Sequence, residues 1–467
     1  MKARFTFLSL FFAVCCTAGF GRAQTYARAD FWLTDAAGQA ISGAKVYVLT
    51  QPANPTSLYA LPGTGTISAA LASAGGNNVT IYLACGTYKD NVNITTSFTR
   101  ILGIGKGNVF NNGTNCVNVQ PNVVGSPVFT LSAGGGNSNN ELGYMTIVCP
   151  TSTVCGNAIL FTGSAINDAH YLHDIQIVNS QGINSTYGFN SGINFAGRSI
   201  DSDFDRLTIS YTVGDGIDFT VNGSTNAFNA NMFHHLISTD NQGYGMKMAA
   251  SSGFVGVANV CQDCDIEANG QNASLANCAD VYLSNVGQFN FHGGYFESAC
   301  PGNTGADPAE FRITGNTLSA SIIDATLNPL TSDYAIYNDA AANVAGVYIG
   351  NWSSGRGLGV KVTNSSNVIV GENSNLGTIS LASGCELATS LWLGAGTCTG
   401  SGKVVLANAP IIIAPVYTVS TLPAASSLTA GTYVVVSDAT SFTPGSCVGG
   451  GSDYMIAVTN GTAWSCH

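Results

Sequence analysis

The sequence predicts an all-β fold, a parallel β-solenoid. One apolar position returns about every 29 residues, a second follows at its own spacing, and Gly, Asn and Ser supply the turns between them. The first column is Ile147, Ile177, Ile209, Ile237, Ile266 and Phe296, set in short runs such as Met145-Thr146-Ile147 and Cys264-Asp265-Ile266. The second column is Ile193, Ile217, Met246, Val281, Phe311, Ile336 and Val360. A fixed period with variable insertions means stacked units that bury their apolar sides on one another. Two or more strands per period, with neither a heptad nor a helix-pair pattern, favour a β-solenoid over an α-solenoid.

Taken in order, the chain starts with a secretory signal over 1–23: Lys2 and Arg4, an apolar segment from Phe5 to Ala18, and Gly21-Arg22-Ala23 as the cleavage site. The protein is therefore expected to be secreted, to an extracellular or periplasmic space. The apolar segment is shorter than the roughly 20 residues of a membrane span. Val404 to Val416 is short and broken by Pro410 and Pro415, so no membrane span is expected. Residues 24–60 read as a short β leader and linker. Phe31 to Thr34 and Ala44 to Leu49 flank the turn Asp35 to Gly38, and Pro52, Pro55 and Pro62 follow. Thr66 to Ala74 has helical apolar spacing and stops at Gly75-Gly76. Val79 to Leu83 is a buried strand, followed by Gly86-Thr87-Tyr88 and Val92-Asn93-Ile94. The β-helix is expected over 61–380, ending near Asn373 to Gly377, and a small C-terminal β module over 381–467.

Residues 66–107 resemble the N-terminal entry of the pectate-lyase-like right-handed parallel β-helix superfamily. In that family an amphipathic helix covers the open end, a strand of the form apolar-x-Leu-x-x-Gly-x-Tyr begins the first coil, and a Gly-x-Gly turn follows. Leu83, Gly86, Tyr88, Gly103, Gly105 and Gly107 occupy those positions. The resemblance spans residues 60–380 and implies right-handed coils, an N-terminal capping helix and a secreted bacterial or phage tail-spike-like member. The C-terminal pattern, from Leu422-Pro423 through Gly449 to Ser452 and Asn460 to Trp464, is similar to modules ending phage-tail-like and bacterial secreted β-helix proteins, which implies capping or attachment. Spike-type relatives are often trimeric, so the resemblance admits an oligomer.

Of fourteen cysteines, Cys15 and Cys16 fall in the signal, which leaves an even number for an oxidising compartment. Proximity suggests disulfide bonds Cys149–Cys155, Cys385–Cys398 and Cys447–Cys466; Cys85–Cys116 and pairs among Cys261, Cys264, Cys278 and Cys300 are further options. Cys261-x-x-Cys264 also fits half a zinc site or a redox motif, but no second such motif or His pair follows, which favours a structural bridge. The formal net charge is −11, with 15 Lys and Arg and no basic run. Nucleic acid binding needs clustered cations and is not expected. Only 9% of residues are charged while 45% are apolar, so the chain is ordered rather than disordered.

Chemistry in such a fold sits on outward strand positions, which successive coils place about 4.8 Å apart. Beside the second column these are Asn194, Asp218, Lys247, Tyr282, Arg312, Tyr337 and Lys361. A line of aromatic and charged residues suits a polysaccharide: Tyr282 and Tyr337 offer faces for sugar rings, and Lys361 a cation for carboxylates. Outward positions are solvated in any protein, so charge there also belongs to an ordinary surface. A second line, His173-Asp174, Asp205-Arg206, His234-His235, Gln262-Asp263 and His292-Gly293, holds four of the six histidines. It fits either an acid–base or metal site or a ladder of turn residues bonding neighbouring coils.

The expected catalytic residues are Asp218, Lys247 and Arg312. Lys247 or Arg312 would be the base in β-elimination on a uronate chain, with Asp218 or Asp265 near a cation such as Ca2+. No motif fixes metal ligands, so none is assigned and the cofactor is left open. Asp215 and Asp218 are close in sequence, but the surrounding Val-Gly-Asp-Gly-Ile-Asp-Phe also reads as turn plus strand. The Asn-Thr-Asp, Asp-Asp and Gly-His-Gly segments of the resembled family's glycosidases are absent, which argues against hydrolysis by a carboxylate pair. The expected function is binding, and cleavage in the manner of a polysaccharide lyase, of an extracellular polysaccharide. The alternative is a non-catalytic surface or tail-spike-like adhesion protein.

Overall fold

In this computed structural model parallel strands stack coil upon coil, each coil adding one strand to each of its main walls. The described residues run from 59 to 340, except 76–78, 105–114, 184–185, 222–227, 252, 254–255, 302 and 304–306. They continue in short segments between 346 and 406, and over 416–440 and 445–467. Of the first 58 residues only 11–13 and 26–28 are described, so the expected signal and leader hairpin lie outside the described residues almost entirely.

One wall is a sheet of 12 strands from Val92–Ile94 to Cys398–Thr399. The second apolar column lies in it in register, Ile193 beside Ile217 and so on to Ile336 beside Val360. All seven residues are fully buried. Two positions further along, Phe161, Phe195 and Phe219 stack with centroids 4.5 and 4.1 Å apart. Burying each such ring contributes about 2–3 kcal/mol, and each stacked pair about 1 kcal/mol more.

The other two walls join through a bend. Over three coils they form single strands, Glu141–Cys149, Tyr171–Asn179 and Asp203–Ser210. The bend is one residue with left-handed backbone: Tyr144, Asp174 and Arg206, then His235, Asp263, Gly293 and Asp324 in later coils. That conformation is unfavourable for a residue with a Cβ. The registered strands on both sides hold it in place.

The first apolar column is in register only in part. Ile147 pairs with Ile177 and Ile177 with Ile209, but Ile209 then faces Ser238, which in turn faces Ile266. The expected Ile237 is off by one, and in a strand a one-residue shift exchanges the faces. Ser238 takes the inward place because it is satisfied there: its hydroxyl donates to the Gly245 carbonyl (2.9 Å) and accepts from Asn241 Nδ2 (3.2 Å).

A buried polar residue in each coil closes a corner. Asn140 Oδ1 accepts from the Thr99 N–H, His170 Nδ1 from Asn140, Ser202 Oγ from His170, Asn231 Oδ1 from Ser202, and Asn259 Oδ1 from Asn231. A second ladder runs through Asn241, Asn269 and Asp280, which accept from Thr212, Asn241 and Asn269. Each side chain pairs a backbone donor that would otherwise be buried alone.

The helix Thr66–Ala74 buries Ile67 and lays Ala70, Leu71 and Ala74 against the core. Tyr88 is fully buried, and its hydroxyl lies 2.8 Å from the carbonyls of both Ala60 and Ala84. The coils continue past residue 377, where the sequence placed their end: Ile379–Leu381, Cys385–Leu387, Cys398–Thr399 and Val404–Leu406 extend the same sheets in parallel register. Residues 407–467 form a separate unit, with a sheet in which Tyr433–Ala439 pairs with Asp453–Thr459 and Trp464 Nε1 donates to the Pro423 carbonyl (2.7 Å). Cys85–Cys116, Cys149–Cys155, Cys261–Cys264, Cys278–Cys300 and Cys447–Cys466 are disulfide-bonded. The Cys261 pair with Cys264 is buried inside the coil, a structural bridge. The side chains of Cys385 and Cys398 lie outside the described residues.

Candidate functional site

The expected line of outward residues is continuous. Asn194, Asp218, Lys247, Tyr282, Arg312, Tyr337 and Lys361 lie side by side, one residue per coil on the 12-stranded sheet. Register and alternation alone bring these side chains together.

The middle of the line is a carboxylate–ammonium cluster. Lys247 Nζ lies 3.5 Å from Asp215 Oδ2 and 3.7 Å from Asp218 Oδ1. Asn194 Nδ2 donates to Asp218 Oδ2 (3.0 Å) and the Thr220 hydroxyl to Asp218 Oδ1. Asp215 begins the same strand, and its Oδ1 accepts the Tyr244 N–H (2.9 Å). Burial, with the nearby Asp218 adding to it, pushes Asp215 up to about 6, against the pull of Lys247 and the Tyr244 N–H. Burial also opposes the charge on Lys247, but Asp215 and Asp218 outweigh it and hold the amine above its ordinary value. The two acids thus favour the charged form of Lys247, whereas the expected base role needs the neutral amine.

Further along, the cations are taken up internally. Arg312 is only 6% exposed, donates from Nη2 to Asp339 (2.8 Å) and from Nη1 to the Asp307 carbonyl (3.3 Å), and lies 3.7 Å over the Tyr337 ring. Two of its donor nitrogens are thus taken up inside the protein, and the guanidinium covers the Tyr337 face expected to stack on sugar. Lys361 pairs with Asp307 (2.8 Å) and lies 4.9 Å from the Tyr337 ring. Tyr282 remains partly exposed, stacked on Tyr244 at 4.8 Å.

Two loops wall this face. The segment before Ala279–Ser284 covers Tyr244, whose hydroxyl donates to the Ala276 carbonyl (2.9 Å). The segment before Ala309–Thr314 supplies Asp307. The Cys278–Cys300 disulfide staples the two, and Asn303 Nδ2 donates to the carbonyls of Asn272 and Leu275. Asp215, Tyr244, Asp307 and Asp339 were not assigned a role from the sequence. The spacing of Asp215 to Asp218 was a usable signal for one of them; the partners brought in by loops had none.

The second line is also in register, His173 beside Asp205, then His234, Gln262 and His292. His173 is sandwiched between acids, Nε2 3.0 Å from Glu141 and Nδ1 2.9 Å from Asp174, and Arg206 clamps Asp174 through Nε and Nη2 (2.9 and 2.8 Å). From Glu141 to Arg206 these groups satisfy one another across coils, beside the left-handed corner residues Asp174 and Arg206, as turn-ladder residues do. Asp265 lies on this wall and does not join Asp218. Among the described residues no group of three or more His, Cys, Asp or Glu is arranged to hold a metal ion, and no helix is long and apolar enough to cross a membrane.

The molecule is thus a parallel β-solenoid with a walled polar and aromatic ladder on one lateral sheet. No protein-family model matches the chain, and no curated protein matches its sequence. Among solved structures it is similar to ORF18 of Geobacillus virus E2, with 14% identity, TM-score 0.47, and 88% of this chain and 75% of that one covered. It is also similar to an alginate lyase from Paenibacillus sp. (13% identity, TM-score 0.35, 68% and 99% covered). A third is tailspike protein gp49 from Acinetobacter baumannii bacteriophage Fri1, a capsular polysaccharide depolymerase (11% identity, TM-score 0.32, 85% and 73% covered). These identities are too low to carry any residue's role across.

Proposed function

We propose that the protein is exported, that its ladder face binds an extracellular polysaccharide, and that the bound chain is acted on at the Asp215, Asp218 and Lys247 cluster. The observation carrying this reading is the unbroken register from Asn194 to Lys361. In it Asn194, Asp218, Lys247, Tyr282 and Lys361 are partly exposed and give a long polymer polar and aromatic contacts along successive coils, while Arg312 and Tyr337 are buried between them. Export is supported by the signal-like N-terminus and by the disulfides, which persist in oxidising compartments. The helix Thr66–Ala74 serves in this reading as the cap of the first coils, the coils are right-handed, and residues 407–467 serve in attachment.

Affinity electrophoresis in gels containing a panel of polysaccharides tests the binding step. At least one polymer should retard the protein, and Tyr282→Ala should weaken that retardation roughly tenfold, as expected for a lost aromatic platform. Retardation by none of the polymers overturns the reading. The adhesion alternative differs at the next step: it predicts retardation with no change in the polymer's length.

A further inference from the structure

We propose that the ladder face takes an uncharged glycan and that Asp215 and Asp218 act as general acid and general base to hydrolyse one of its glycosidic bonds. This deepens, and rests on, the polysaccharide reading above. It replaces the uronate elimination expected from the sequence.

The first argument is charge. Lys247 lies between Asp215 and Asp218, Arg312 is paired with Asp339, and Lys361 with Asp307. Three cations therefore face four carboxyl groups. A uronate chain would bring further negative charge to a face whose cations are already neutralised, and desolvating like charges side by side is unfavourable. β-Elimination also needs a base for a carbon-bound proton and a free cation for the developing enolate. Lys247 is held protonated by its two acids, and Arg312 is buried under ion pairing and stacking.

The second argument is the asymmetry of the two carboxyls. Asp215 is tucked against the Tyr244 N–H with little solvent, and burial pushes it up to about 6, so that it carries a proton in mildly acidic solution. Asp218 instead sits among polar donors, Asn194 Nδ2 and the Thr220 hydroxyl, with Lys247 Nζ 3.7 Å away. Two carboxyls on neighbouring positions with opposed surroundings are suited to acid and base roles. The third argument is the platform: Tyr282, backed by Tyr244, offers a sugar ring an aromatic face one coil from Lys247 and needs no charge on the ligand.

In the step itself Asp215 gives its proton to the glycosidic oxygen as the bond from that oxygen to the anomeric carbon breaks. A water oxygen forms the new bond to that carbon, and Asp218 takes the water's proton. One water is consumed, and solvent returns the proton from Asp218 to Asp215. Lys247 stays charged throughout and offsets the negative charge shared by the pair.

The test uses the full chain and a panel of neutral glucans, mannans and galactans beside pectate and alginate, each assayed for retardation, new reducing ends and unsaturated-uronate absorbance. The expected result is retardation and new reducing ends with a neutral polymer, and no unsaturated product from any polymer. Asp215→Asn and Asp218→Asn should retain retardation and lose about 10²–10⁴-fold in turnover. Wild-type turnover should fall as pH rises through about 6, a readout independent of whether either variant folds. Retardation by a neutral glycan without new reducing ends overturns the hydrolysis and leaves binding standing. Unsaturated product from a uronate polymer overturns both the substrate and the step, and retardation by nothing overturns the polysaccharide reading itself.

Discussion

Gly243 stands directly against the carboxylate of Asp215: a Cβ at that position would lie 2.2 Å from Asp215 Oδ1 and 2.8 Å from the Gly214 carbonyl carbon. The chain needs glycine here for close approach, since the adjoining Tyr244 N–H must reach the same carboxylate oxygen. Gly243→Ala should displace Asp215 and strain the strand start. The expected outcome is a loss of about 1–3 kcal/mol in stability, as for other overpacked sites, with any turnover falling further than binding. Thermal unfolding read beside the glycan assays checks it; unchanged values in both would show that the carboxylate is free to move.

Arg312 and Tyr337 form a second unit whose geometry is specific to a planar cation. The guanidinium lies 3.7 Å over the ring while Nη2 holds Asp339 and Nη1 the Asp307 carbonyl. An ammonium lacks both the flat face and the forked donors. Arg312→Lys should therefore destabilise the wall loop, and Arg312→Ala should cost about 3 kcal/mol or more by leaving a partly buried carboxylate without its cation. Unfolding in urea, with proteolysis of the 298–308 segment as a local readout, checks both. Equal stability of Arg312→Lys and wild type would sink this account.

How much of this was legible in the sequence depended on range. Period-two alternation and a period near one coil placed Ile193, Ile217 and Met246 inward and Asp218, Lys247 and Tyr282 outward, and the register follows. The same pattern misplaced Ile237, because an inward Ser238 hydrogen-bonded to Gly245 looks polar and hence outward. The roles of Lys247 and Arg312 were illegible for another reason. They are set by Asp215, Asp339 and Asp307, which arrive from a strand start, a strand end and a loop. Periodicity gives the address of a side chain, while its protonation and pairing depend on neighbours from other coils.

His170 occupies a ladder place that Asn or Ser fills in other coils. Its Nδ1 accepts the Asn140 N–H (3.2 Å), it is fully buried, and burial pulls it down to about 4. The neutral form is the one the fold uses, so the unfolded chain binds a proton first as pH falls below the ordinary value near 6.5. Stability from this group is full above about 6.5 and is lost as pH falls towards 4, by about 3 kcal/mol at most. His170→Asn keeps an acceptor and removes the titration. It should flatten the acid side of the stability curve, measured by urea unfolding between pH 4 and 7; a slope identical to wild type would show that His170 is solvated.

The buried pair Asp280 and Glu310 predicts the opposite slope on the alkaline side. Both are fully buried on neighbouring strands behind the wall loops, and Asp280 Oδ1 accepts from both the backbone N–H and Nδ2 of Asn269. Burial pushes Asp280 up to about 7 and Glu310 well above its ordinary value, and the other charges acting on them, Glu267 and Asp333, are also acids. The folded pair therefore keeps protons that the unfolded chain has already released. By linkage its contribution is full at about pH 4 and is lost as pH rises through 7. Asp280→Asn retains the acceptor for Asn269 and supplies a permanent donor to Glu310, so it reproduces the protonated state without the titration. The variant should unfold at a higher temperature than wild type at pH 8 and show a shallower decline between pH 5 and 8. Two parallel melting curves over that range would mean that the pair does not hold its protons in the folded chain.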